Sequence, residues 1–130
     1  MQMVWDKKYE VGHARIDSEH RTFLELVTSF SDKIAQRASD EYLLRQLGEI
    51  ATYADFHFAS EESLMEECGY PDKARHARLH AALLRDFHAK TNHFSLGRIS
   101  AHEVFEFLFQ WFAHHSAQED KQLALYIERP

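Results

Sequence analysis

Residues 57–71 read "HFASEESLMEECGYP", and the fold turns on how this stretch is built. From His57 to Cys68 the apolar residues recur at helical intervals, with Phe58, Leu64 and Met65 joining Ala54 on one side. Gly69 stands where a helix ends in a left-handed residue, and Pro71 suits the first turn of the next helix. A long helix, a tight turn and a second long helix make an antiparallel helical hairpin. The buried seam also carries His57 and Glu61, four residues apart. Burying an imidazole or a carboxylate without a partner is costly, so this pair needs something to bind.

Working outward, period-3.6 patterning predicts helices over about 17–37, 40–67, 71–94 and 100–127. In the first, Phe23, Leu24, Val27, Phe30 and Ile34 share a face that extends back to His20. The second has the seam Leu47, Ile50, Ala54, His57, Glu61 and Leu64, and the third has His76, His80, Leu83, Phe87 and Phe94. The fourth opens with Ser100 and Glu103 in capping-box spacing and continues through Leu108, Phe112, His115 and Tyr126. The connections "ASD", "CGYP" and "SLGR" are short, so sequential helices run antiparallel. The expected fold is all-α: an up-down-up-down antiparallel four-helix bundle. Residues 1–16 read as an irregular arm, with Trp5, Tyr9 and Val11 available to pack on the bundle.

The chain has 130 residues, the size of one domain with a real core. Its net charge of -6 argues against nucleic acid and anionic membranes, which reward basic faces. No apolar run approaches a membrane span, and the N-terminus lacks the apolar core of a signal peptide. One cysteine, Cys68, excludes an internal disulfide. These features fit a reducing compartment, and the expected location is cytoplasmic. The compositional outlier is histidine, at 10 residues.

In a helix, residues i and i+4 differ by ~40° of rotation and ~6 Å of rise, so both reach one metal or two adjacent ones. His57 and Glu61 have this spacing, as do His76 and His80, while His20 and His115 lie on the apolar stripes of their own helices. Every helix therefore sends a histidine inward. Seven inward polar groups left unpaired, at about 1–3 kcal/mol each, would cost roughly 7–20 kcal/mol. That rivals the whole stability of a domain, about 5–15 kcal/mol. A cation among them resolves the conflict. Seven ligands exceed the six of one octahedral ion, so a pair of ions is the natural count. Imidazole with bridging carboxylates suits iron, or manganese, better than structural zinc. The carboxylate of the fourth helix is open at this point: Glu119 lies ~40° from His115 and Asp120 ~140°, and Leu123 falls between them in angle.

Several motifs together resemble the hemerythrin family in its bacterial single-domain form, along nearly the whole chain. They are Val11-Gly12; Ile16-Asp17-Ser18-Glu19-His20; His57-Phe58 through Glu61; Gly69-Tyr70-Pro71; His76 and His80; and Trp111 with His115 and Asp120. The resemblance implies a single domain over 1–130 and selects Asp120 over Glu119. It implies that His76, His80 and His115 bind one iron. His20 and His57 would bind a second iron with an open position, and Glu61 and Asp120 would bridge the pair together with an oxo or hydroxo group. It further implies reversible binding of dioxygen for storage, transport or delivery rather than enzymatic turnover. The alternative is an oxygen- or redox-sensing input domain with a fused or partner signalling domain.

Phe23, Phe58, Trp111 and Phe112 lie at helical spacing from the histidines and are candidate walls of an apolar pocket. His114 and Ser116 stand where the family commonly has asparagine and isoleucine. A small polar Ser116 leads to the expectation of a leakier pocket and faster autoxidation. His13, His88, His93 and His102 have no ligand spacing, and Glu62, Glu66 and Glu67 read as a solvated helix face. A ferritin-like oxidase needs Glu-x-x-His on two helices, and Glu10 to His13, in the arm, is the one match. A zinc protease needs HExxH, which is absent.

Overall fold

The computed structural model describes residues 5–130, and for Ser116 the backbone alone. A short 3-10 turn, Lys7–Tyr9, precedes α1 (Ala14–Ala35), α2 (Asp40–Cys68), α3 (Lys73–Ser95), α4 (Ala101–His114) and α5 (Lys121–Glu128). Between α4 and α5 lies a π-helical segment, His115–Asp120, with helical dihedrals at both junctions. The backbone therefore runs from Ala101 to Glu128 as a single fourth rod. Helix α1 packs on α2, α2 on α3, α3 on α4, and α4 back on α1. This is the expected four-helix bundle, and no strand occurs among the described residues. No helix of the described residues is long and apolar enough to cross a membrane.

The helix ends follow from local chemistry. Ser39 caps α2 by accepting from the Tyr42 N–H at 3.1 Å. Ser100 and Glu103 form the reciprocal capping box that opens α4. Gly69 closes α2 in the left-handed conformation at φ 67°, which a Cβ would disfavour. Helix α1 begins three residues earlier than the spacing predicts. The Nδ1 of His13 accepts from the Ile16 N–H at 3.4 Å, and the Asp17 carboxylate accepts from the N–H groups of Val11 and Gly12 at 2.9 and 3.2 Å. Pro71 falls in the turn before α3 rather than in its first turn. The π segment departs furthest from the unbroken helix expected over 100–127.

Two apolar clusters fill the bundle. The larger contains Val27, Phe30, Leu47, Ile50, Phe87 and Leu108, and the smaller contains Ile16, Leu64, Met65, Tyr70 and Leu123. On α1, α2 and the fourth rod the inward polar residues stand between members of the two clusters. Ile16 precedes His20 on α1, and Phe23 follows it; on α2, His57 and Glu61 precede Leu64. The arm closes one flank: Tyr9 is buried and meets Phe112 edge-on with ring centroids 4.9 Å apart.

Candidate metal centre

The seven inward groups form one buried layer. Glu61, His76, His80, His115 and Asp120 place one ligand atom each within 4.8 Å of one another. His20, His57, Glu61 and Asp120 do the same. Both carboxylates belong to both groups, and each divides its two oxygens between them. Glu61 Oε1 lies 3.0 Å from His80 Nε2 and 3.3 Å from His76 Nε2, while its Oε2 lies 3.2 Å from His57 Nε2. Asp120 Oδ1 lies 2.9 Å from His115 Nε2 and 3.2 Å from His76 Nε2, while its Oδ2 lies 2.8 Å from His20 Nε2.

The π segment puts Asp120 there. In regular α geometry a five-residue step turns ~140°, which would aim Asp120 away from His115. Bonding from i to i+5 adds about one residue per turn, so the fifth residue swings back towards the first. Asp120 is accordingly fully buried, Glu119 is turned outward, and His114 is exposed.

The donor set suits a cation on a local test. Asp120 Oδ1 and His76 Nε2 sit close together, yet neither has a hydrogen-bond partner, and Glu61 Oε2 is likewise buried without one. These atoms aim at shared points rather than at each other. Burial drives the rings towards neutrality, but the carboxylates reverse this. The nearby carboxylates of Asp120 and Glu61 outweigh burial at His20 and His76, and raise His76 to about 9. The Asp120 charge overcomes burial at His115 and lifts it to about 10. His57 is also held well above its ordinary value, against burial, by Asp120, Glu19 and Glu61. Burial pushes Glu61 and Asp120 up, but the histidines hold both below the usual carboxylate range. The two buried carboxylates thus draw positive charge inside. Divalent cations would supply that charge at the donors the two groups bring together.

Two outer carboxylates orient two of the inward rings. His57 Nδ1 lies 2.7 Å from Glu19 Oε1, and Glu19 Oε2 accepts from Ser60 Oγ at 2.8 Å. Arg15 Nε donates to the same hydroxyl at 2.9 Å. His80 Nδ1 lies 2.9 Å from Glu62 Oε2. Such partners fix the tautomer that turns Nε2 inward as a lone pair. Glu62 is therefore not simply part of a solvated face, and Glu19 was a motif residue with no role assigned. Each stands one position from an inward residue, the sole hint in sequence. His13 proves to be a helix cap, and His102 pairs with Glu106 on the surface at 3.0 Å.

A void of about 10 Å³ adjoins the smaller group, lined by His20, Phe23, Ala54, His57, Phe58, Trp111, Phe112 and His115. The four aromatic residues anticipated as walls all line it. Phe23 and Phe58 both pack on Trp111, with ring centroids at 5.0 and 5.3 Å. The side chain of Ser116 lies outside the described residues.

The family model for the hemerythrin HHE cation binding domain matches residues 11–127. The chain belongs to the hemerythrin family. Among its hemerythrin relatives, the bacteriohemerythrin of Stenotrophomonas maltophilia is 29% identical over 123 residues, covering 94% of this chain and 79% of that one. The bacteriohemerythrin of Methylococcus capsulatus is 30% identical over 112 residues, covering 85% and 83%. A crystal structure of wild-type hemerythrin superposes with a TM-score of 0.88 at 24% identity, covering 99% of this chain and 100% of that one. That likeness concerns the fold.

Proposed function

We propose that this hemerythrin-family chain binds dioxygen reversibly at a non-haem di-iron centre, as an oxygen storage, transport or delivery protein of the cytoplasm. The observation that carries the reading is the division of Glu61 and Asp120, each with one oxygen towards each group of histidines. A bidentate carboxylate spans ions about 3.5–4 Å apart, and two such bridges hold a pair. The bacteriohemerythrin names of the relatives agree with this reading.

The residues divide the work. His76, His80 and His115 would hold one ion, and His20 and His57 the other. The smaller set leaves coordination positions free, and the void lies beside its two histidines. At about 10 Å³ that void admits a molecule near the size of water, which favours a small diatomic over any larger substrate. The iron pair, with its oxo or hydroxo bridge, would supply the two electrons of reversible oxygen binding. Phe23, Phe58, Trp111 and Phe112 surround the site with apolar surface that excludes water and stray protons. Glu19 and Glu62 keep the Nε2 lone pairs of His57 and His80 pointed inward.

The test is an anaerobic iron-loaded sample titrated with dioxygen. The expected result is two irons per chain and a visible band that grows with oxygen and disappears on degassing. Irreversible bleaching overturns the carrier reading and favours redox sensing. Far fewer than two irons per chain overturns the centre itself.

A further inference from the structure

Glu119 and Asp120 are adjacent acids on one rod, and the structure uses them oppositely. Asp120 enters the centre, whereas Glu119 pairs with Arg75 across the gap to α3. The Arg75 guanidinium donates from its two terminal nitrogens to the two oxygens of Glu119, at 2.6 and 3.4 Å. Its Nε donates to Asp72 Oδ2 at 2.9 Å, which fixes the plane of the fork. Arg75 directly precedes His76, and Glu119 directly precedes Asp120. The ion pair therefore links two inward residues through one covalent step at each end.

The backbone has an alternative. In an uninterrupted α-helix Glu119 would lie ~40° from His115 and Asp120 ~140°. That register would send Glu119 inward and Asp120 out. A π turn is the rarer backbone state, so something must favour it. Metal held by Asp120 favours it once loaded; before loading, the contacts of Asp120 with His20 and His115 favour it at 2.8 and 2.9 Å, and an interaction that holds the neighbouring carboxylate outward adds to them. We infer that Arg75 is a positioning residue: by holding Glu119 outside, it sets the π register of residues 115–120 and so decides which of two neighbouring carboxylates becomes the bridge. This rests on the metal-binding reading above. A bidentate, pre-oriented fork is the form of surface ion pair that carries measurable energy, and it biases an equilibrium between two backbone registers.

The test uses the full chain, metal-free and then titrated anaerobically with Mn²⁺. Arg75→Met, Glu119→Gln and the double variant are compared with wild type. Amide hydrogen exchange within residues 115–120 should quicken by about 2–5-fold in either single variant, the range a surface ion pair supports. Exchange in α2 should stay as it was, whereas a general loss of stability would quicken both. The apparent affinity for the second Mn²⁺ should fall by a similar factor, and the double variant should add nothing further. Arg75→Lys keeps the charge but not the fork and should fall between Arg75→Met and wild type. A second series reads the register directly. Asp120→Ala should lose the second ion; adding Arg75→Met should restore part of it through Glu119; adding Glu119→Gln should abolish the recovery.

If wild type binds two ions while Arg75→Met matches it in exchange and affinity, the inference falls and the metal reading stands. If wild type binds no metal, both fall.

Discussion

Glu61 is the residue on which the centre is most exposed to a single change. It is fully buried and faces five histidines. Glu61→Gln keeps the volume and removes the charge. The metal-free chain should lose about 3–5 kcal/mol in urea denaturation, the cost of breaking a buried ion pair. Metal analysis should give at most one ion per chain. Glu19→Ala acts one step further out, since His57 loses the acceptor of its Nδ1–H. Metal affinity should drop by about 10–100-fold, the usual effect of deleting such a partner, with the far-ultraviolet spectrum unchanged. The inward histidines and Glu61 are readable from spacing because they follow the helical period of their own stripes. Glu19 and Glu62 have no such signature. An orienting carboxylate touches the outer nitrogen of a ring, from whichever flank the packing allows, so its position in sequence is not periodic.

Helices α2 and α3 were legible because Gly69 imposes a left-handed helix end whatever the tertiary context, although Pro71 falls in the turn itself rather than in the first turn of α3. The extent of the fourth rod was legible too, but not its π segment, because patterning assumes a constant turn angle and that assumption breaks at His115. The i+5 spacing of His115 and Asp120 is the trace it leaves in the sequence. Reading that spacing with α geometry points Asp120 the wrong way. The start of α1 was missed for a related reason: an imidazole serves as its cap in place of the usual serine, threonine or aspartate. Between α1 and α2, Arg37 adopts φ 60°, a conformation costing a residue with a Cβ about 1–2 kcal/mol. Glycine adopts it freely but is more disordered when unfolded. Arg37→Gly should therefore stabilise the chain by about 0.5–1 kcal/mol, read as a higher denaturant midpoint with an unchanged slope.

At the scale of the molecule, the buried layer couples folding, protons and metal. Raised histidine values stabilise the metal-free fold fully below their unfolded value of 6.5, and that stability is lost as pH rises through about 9 for His76 and about 10 for His115. The lowered carboxylates work in reverse. Glu61 and Asp120 contribute above their unfolded values of 4.5 and 3.8, and the contribution fades as pH falls below them. The metal-free chain should thus be most stable between pH 4.5 and 6.5 and weaken steadily towards pH 10. Metal needs neutral rings, so loading at pH 7 should release protons into a weakly buffered solution, and affinity should climb from pH 6.5 to 9. Proton release measured by indicator dye during anaerobic titration checks this, and a null release overturns it. The bundle and its polar layer were both legible at this scale, because four stripes each carrying a histidine admit few arrangements.

The two ends of the chain relate differently to this layer. Tyr9 sits against Phe112, which lines the void, and the Asp17 carboxylate clasps the backbone at Val11 and Gly12. Leu123 and Ala124 of the last helix are buried in the smaller apolar cluster, away from the void, and the residues after Ile127 are exposed. For anyone attaching a purification tag, a fluorophore or an immobilising surface, the termini are not equivalent. A load on the arm at Tyr9 pulls on Phe112 in the wall of the void, whereas one on the last residues hangs from the exposed stretch after Ile127. A handle for handling this protein without altering it belongs at the carboxyl end.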